Sequence, residues 1–293
     1  MGVQWLMGES INGSAGVDGE ADVKPILAEA EDYRAELRTL FELLKDADDA
    51  AWEEPTRFKG WTAVDVLGHL HMFDRGAEMA LRAPEELTAL LTGYREGVRE
   101  TGSGRAYTRR VLGDPKGPEL RDRWRAFGET LADQFRNVEP QRRLPWAGPT
   151  MSARSCISAR QMETWAHGQA LFDLLGQERQ DQDRIRNIAV LGVNTFEWAF
   201  KNRGLEAPEK PFVKLTAPSG LIWTWNDPGA ASSVEGSAVE FCQVVAQTRH
   251  VDDTALVVRG EAAQAWMPIA QCFAGPPENP PAPGVRKRDS WPR

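Results

Sequence analysis

Gly60-Trp61-Thr62-Ala63-Val64-Asp65-Val66-Leu67-Gly68-His69-Leu70 and Arg160-Gln161-Met162-Glu163-Thr164-Trp165-Ala166-His167 decide how the rest of this chain is read. Both segments have helical apolar spacing, and both set ionisable side chains on the inward face. In the first, Val66, His69, Leu70 and Phe73 recur at i, i+3, i+4 and i+7, so His69 lies on the buried stripe. His71, two residues on, falls about 200° around the helix and points elsewhere. In the second, Glu163, His167, Ala170 and Leu174 share one face, with Glu163 and His167 one turn apart. That spacing lets two side chains grip a single ion. A buried carboxylate without a partner is costly or stays protonated. Two explanations fit the spacing: a satisfied core histidine beside a helical Glu–His hydrogen bond, or a divalent-metal site. Only four histidines occur among the 293 residues, and two of them fall on core faces, which makes the combination hard to dismiss. Spacing alone leaves both explanations open.

Outward from these segments the chain divides into four parts. Residues 1–22 have no period and many Gly and Ser, the composition of a disordered arm. Ile26, Ala30, Tyr33, Leu37, Leu40 and Leu44 predict a first amphipathic helix over 23–45. Thr62-x-x-Asp65 reads as a capping box opening the helix that carries His69, with Trp61 packing back on Val66 as a staple. Residues 84–98 have a weak helical pattern. Leu120, Trp124, Phe127, Leu131 and Phe135 form a strong stripe after Gly117-Pro118. The Glu163–His167 helix is expected over 153–175, ending at Gly176. A further helix is expected on the stripe Ile185 to Phe200, ending at Gly204, with Gly192 marking a close helix contact. Past Pro208, 211–216 and 220–225 read as two strands joined by a Pro-Ser-Gly turn. A helix over 234–248, a strand over 254–258 and a closing helix over 262–273, kinked at Pro268, complete this part. The expected organisation is therefore a helical domain over 23–204, a small α+β domain over 205–274 and an unstructured Pro-rich tail over 275–293.

Composition excludes several classes of function. A formal net charge of −8 argues against a nucleic-acid partner, which needs a basic face to displace counterions. No apolar run approaches the ~20 residues of a membrane span, and the first residues lack the plan of a secretion signal. The expectation is a cytoplasmic protein, monomer or homodimer, acting on a small molecule. Cys156, Cys242 and Cys272 are odd in number and far apart, so no disulfide framework is implied. Cys156 shares the Glu163–His167 face but lies two turns earlier, about 10 Å along the axis. It reads as a buried thiol, not a ligand or nucleophile. Arginine far outnumbers lysine beside abundant Ala and Gly, a bias that fits a GC-rich bacterial genome.

Trp61-Thr62 leading to Asp65 and His69-Leu70, followed by Arg160-x-x-Glu163-x-x-x-His167, resembles the mycothiol-dependent maleylpyruvate isomerase family, a branch of the DinB-like metalloenzymes. The likeness extends over about residues 24–274. It implies a mainly α fold, an up-down helical bundle followed by a small α+β domain related to sterol-carrier proteins. It also implies that His69, Glu163 and His167 are three protein ligands of a divalent metal, zinc first, with positions left open for water or substrate. The cofactor it implies is mycothiol or another low-molecular-weight thiol.

Members of that family often place an Asp three residues after the second histidine, where this chain has Ala170. They also tend to carry a Gly-Arg pair in the C-terminal domain that helps form the active site. Here Thr248 precedes Arg249, which makes Arg249 a candidate to close the pocket over an anionic group. Arg160, one turn before Glu163, is the second candidate, either steadying that carboxylate or gripping a substrate acid. Trp165 is placed to line a pocket. The function expected is a metal-activated thiol acting on a small electrophile, by isomerisation or S-transfer. The alternatives are a thiol-independent metal enzyme (hydrolysis, cyclisation or addition) in a specialised biosynthetic pathway, and a metal-containing small-molecule binding protein.

Overall fold

The computed structural model describes residues 27–147 and 150–286. The N-terminal arm expected over 1–22 lies outside the described residues. The described residues begin with α1 (Ala28–Leu43), a short α2 (Asp49–Glu53) and α3 (Ala63–Arg82). The box that opens α3 is formed as its sequence dictates: the Thr62 hydroxyl accepts from Asp65 N at 3.3 Å, and Asp65 Oδ2 accepts from Thr62 N at 3.0 Å. These contacts satisfy donors that the first helical turn would otherwise leave bare. Then come α4 (Pro84–Thr101), α5 (Gly104–Leu112) and α6 (Gly117–Arg136). A two-strand hairpin of β1 (Arg143–Leu144) and β2 (Met151–Ser152) leads into α7 (Ala153–Leu174).

Helices α1, α3, α6 and α7 pack on one another as a bundle, and α4 and α5 lie together against α3. The bundle core joins Leu37 and Leu40 of α1, Val66, Leu67 and Leu70 of α3, Trp124 and Leu131 of α6 and Ile157 of α7. The sequence has no clear signal for α5. Its stripe is short, and it is held by contacts such as Tyr107 lying against Gly97 of α4.

The single helix expected from Ile185 to Phe200 is broken. A 3-10 turn (Asp183–Ile185) leads to α8 (Arg186–Asn194), and α9 (Phe196–Lys201) follows after Thr195. Gly192 does mark a close contact, since a Cβ there would lie 2.8 Å from Val245. A four-stranded sheet comes next, in the order β4-β3-β5-β6. Strands β3 (Phe212–Thr216) and β4 (Ile222–Trp225) form the expected antiparallel hairpin, with Val213 opposite Trp225. β5 (Ser233–Ser237) runs parallel to β3 and precedes α10 (Ala238–Val245). The helix expected to begin at Val234 is therefore a strand for its first turn. Val234 is a fully buried sheet position, and pairing with β3 outweighs local propensity there. β6 (Val257–Arg259) and α11 (Glu261–Trp266) follow, and a 3-10 turn (Met267–Ile269) takes over where Pro268 ends the helix.

A second core gathers Phe196, Phe200, Val213, Leu215, Val234, Phe241 and Trp266, together with Met162 and Trp165 from the far side of α7. Helices α8 and α9 thus pack with the sheet, although the sequence groups them with the bundle. α7 is shared by both cores, so its apolar residues occupy more than one stripe and only a narrow face is left for polar side chains. Residues 275–286 contain no helix or strand. They are nonetheless tied down: Gln271 donates to Pro276 O, Arg57 to Val285 O, and Lys59 pairs with Glu278 at 2.8 Å. Among the described residues no helix is long and apolar enough to cross a membrane.

Candidate metal centre

His69 reaches inward from α3, and Glu163 and His167 reach towards it from α7. Glu163 Oε2 lies 3.2 Å from His69 Nε2 and 3.2 Å from His167 Nε2. One ligand atom from each of the three residues falls within 4.8 Å of the other two. Burial holds the His69 imidazole down at about 4, so it is neutral near pH 7. Burial by itself would raise the Glu163 carboxyl, but hydrogen bonding to His167 and His69 outweighs it and keeps the acid well below its usual range. The centre therefore contains an ionised carboxylate, and no lysine or arginine among the described residues pairs with it.

Rings bracket both imidazoles. Trp61 stacks on His167, with centroids 5.5 Å apart and planes within 4°, and presents an edge to His69 at 5.3 Å. Phe58 meets His167 edge-on at 5.0 Å, and Phe73 tilts against His69 at 4.8 Å. The loop before α3 delivers Phe58 and Trp61 through a tight turn. Trp61 N donates to Phe58 O at 2.9 Å, Thr56 N donates to Trp61 O at 2.8 Å, and Lys59 and Gly60 both take positive φ. Glycine at 60 makes that reversal inexpensive. Trp61 therefore packs on both imidazoles of the candidate site.

Arg160 is placed against Asp74 of α3. Its side chain is 2 % exposed, and Nε donates to Asp74 Oδ1 at 2.9 Å. Nη2 donates to Leu70 O at 3.3 Å, tying α7 to the turn of α3 that carries His69. Asp74 also accepts from Trp124 Nε1 at 2.9 Å. The pairing is inter-helical, so spacing along α7 alone could not disclose it. Trp165 likewise turns away from the centre. It is fully buried in the second core and donates through Nε1 to Asp181 at 2.7 Å. Cys156 is buried, and its thiol is pushed up to about 12 by that burial. His71 packs on Phe127 at 5.3 Å, away from the three ligands.

Arg249 comes from the segment after α10 and crosses to α7, where Nη2 donates to Asp173 Oδ1 at 2.7 Å. Asp173 also accepts from Gln169 Nε2 at 2.9 Å, so it is committed to other partners and does not replace the acid absent at Ala170. Arg249 and Ala170 line a cavity of about 240 Å³ together with Phe58, Ala166, Thr248 and Arg286. The structure thus brings His69, Glu163 and His167 together, places Arg249 in the neighbouring cavity, and buries Arg160 behind the cluster in its pair with Asp74. Sequence reasoning missed Phe58, whose only local signal is the turn before the cap, and Arg286, which has none.

The family model described as the mycothiol maleylpyruvate isomerase N-terminal domain matches residues 33–172, the stretch that contains all three ligand positions. Two relatives from Mycobacterium tuberculosis, uncharacterized proteins Rv0036c and MT0041, are each 39% identical over 258 residues, covering 88% of this chain and 98% of theirs. The chain belongs to the mycothiol maleylpyruvate isomerase-like family. The crystal structure of the mycothiol-dependent maleylpyruvate isomerase has the same fold: at 15% identity it aligns with a TM-score of 0.50, over 80% of this chain and 92% of that one. The shared architecture is a mainly helical N-terminal bundle with a small mixed sheet and helices after it. Among family features, the His69, Glu163 and His167 cluster is the one with the geometry of a possible metal site.

Proposed function

We propose that this protein is a divalent-metal enzyme that turns a bound thiol on a small electrophilic substrate, by isomerisation or S-transfer. His69, Glu163 and His167 would hold the ion, zinc first among the candidates. The observation that carries this reading is one carboxylate oxygen at 3.2 Å from two imidazole nitrogens, with no lysine or arginine among the described residues in an ion pair with it. Two imidazole nitrogens and one anionic oxygen suit a borderline divalent ion, and three protein ligands leave room for an exchangeable fourth. When bound, such an ion lowers the pKa of a coordinated thiol or water towards neutrality.

The chain's own residues supply the rest. Trp61 and Phe58 fix the His167 ring by packing, in the place where a hydrogen-bonded acid commonly orients a metal-binding histidine. Arg160 and Asp74 neutralise each other behind the centre and hold α3 and α7 at fixed separation. Arg249 offers a cation in the adjoining cavity for an anionic group.

The test is elemental analysis of the purified protein, followed by turnover of small α,β-unsaturated carbonyl compounds with and without a low-molecular-weight thiol such as mycothiol. A protein that takes up no transition metal after reloading sinks the reading. Turnover that is indifferent to thiol points instead to a thiol-independent metal enzyme, the reading favoured by Ala170 on the cavity wall.

A further inference from the structure

We propose that the segment 276–286 is a strap that positions the metal centre. It fastens the turn at residues 57–60, and through that turn it holds Phe58 and Trp61 against the imidazoles. The inference takes its purpose from the proposed metal site, but the fastening itself needs no metal.

The turn does not keep its shape by local preference alone. Lys59 has a φ of 52°, a left-handed conformation that a side chain with a Cβ enters at a cost. Such a residue persists where its surroundings over-determine it. On one side, Arg105 of α5 donates to Gly60 O at 2.9 Å. On the other, the strap meets three consecutive residues. Arg57 Nη1 donates to Val285 O at 3.0 Å, the Arg286 guanidinium lies over the Phe58 ring at 5.0 Å, and Lys59 Nζ donates to Glu278 Oε2 at 2.8 Å. The charge of Glu278 also acts on Arg286, so one acid serves both cations. Phe58 and Trp61 pass this restraint on to His167, edge-on and stacked respectively.

The strap's own anchor is the C-terminal domain, through side chains that are themselves buried. Gln271 donates to Pro276 O at 3.1 Å and accepts from Glu278 N at 3.0 Å. Gln247 donates to Glu278 O at 2.9 Å, and its own carbonyl accepts from Arg286 at 3.1 Å. Asp253 accepts from Gly284 N at 2.9 Å. These bonds are polar, and no strap residue joins either apolar core. A segment held in this way opens at less cost than the cores beside it. Pro276, Pro277, Pro280, Pro281 and Pro283 reduce the freedom that docking must remove. The strap is thus stiff enough to fasten the turn and lightly enough held to release it. Rings that fix a ligand imidazole set how well a metal is kept, so metal retention should depend on a contact far outside the ligand set.

The experiment exchanges the charges of the one ion pair between strap and turn, in full-length protein. Glu278→Lys, Lys59→Glu and the double variant are loaded with zinc, and release to excess chelator is followed. Each single variant should lose zinc about three- to fivefold faster than the native protein, the scale of an exposed pair turned to repulsion. The double variant should recover at least half of that change on a logarithmic scale, a rescue that general loss of structure would not give. In metal-stripped protein, the NMR signals of the Trp61 indole and the His167 ring should shift in each single variant and move back in the double. Native release rates and unshifted signals in both single variants would overturn the strap, and so would an effect that the double variant leaves in place. A native protein that takes up no zinc would remove the metal reading; shifted and rescued signals would then still uphold the fastening. Zinc uptake with unshifted signals would remove the strap alone.

Discussion

Two carboxylates on facing helices of this bundle, Asp74 fully buried and Glu163 partly so, have opposite surroundings. Asp74 meets a guanidinium and an indole N–H: Arg160 and Trp124 both donate to it, and the whole cluster is sealed. Glu163 sits one turn from Arg160 on α7 yet meets only two imidazoles. The first acid carries its own cation and is complete. The second is held ionised between two imidazoles, the arrangement of a possible metal site. A buried acid is therefore not a site in itself; the charge of its partners separates a structural pair from a ligand set.

The largest test of that contrast removes the nitrogen donors. A His69→Ala/His167→Ala protein should lose essentially all bound transition metal by elemental analysis, and its activity with it, while keeping its helical circular dichroism. Next comes a paired measurement of stability by chemical denaturation in metal-free protein. Asp74→Asn leaves the Arg160 charge buried and unpaired, and should cost about 3–5 kcal/mol. Glu163→Gln strands no cation and should change stability by no more than about 1 kcal/mol. Equal losses for the two would erase the distinction between the acids.

A smaller effect is expected from Trp61→Ala, which removes the stack on His167. Metal affinity should fall about tenfold, within the range for partners that orient a ligand, with little change in fold; competition against a chelator measures it. The smallest concerns Cys156, buried on the sealed side. Its thiol is pushed up to about 12 by burial, and Cys242 and Cys272 are raised likewise. Native protein at pH 8 should take up no iodoacetamide by mass spectrometry until it is unfolded. Labelling of Cys156 would mean that the cluster around Asp74 opens.

The sequence made legible what depends on position along one helix. The cap at Thr62, the inward placement of His69 and the one-turn stacking of Glu163 and His167 all follow from a period of 3.6 residues. It was silent where two elements from distant parts of the chain meet. Arg160 is three residues from Glu163 in sequence but belongs to Asp74, 86 positions away. Trp165 sits between two site residues yet faces the second core, because α7 is buried on more than one side. At Val234 the local pattern read as helix, and pairing with the neighbouring β3 made it strand. Ring packing around the imidazoles was hidden for the same reason, since the loop that carries Phe58 takes its position from the molecule around it.

That loop has a consequence for how the molecule is made. Its residue Arg57 is fastened to Val285, 228 positions later, and Phe58 is roofed by Arg286. At ribosomal speeds of about 5–20 residues per second, the fastening segment emerges roughly ten to fifty seconds after the loop does. During that interval the bundle helices can assemble on the nascent chain with the rim of the metal centre still open. Completion of the rim thus follows synthesis of the bundle, and it reports that the segment carrying Val285 and Arg286 has been delivered.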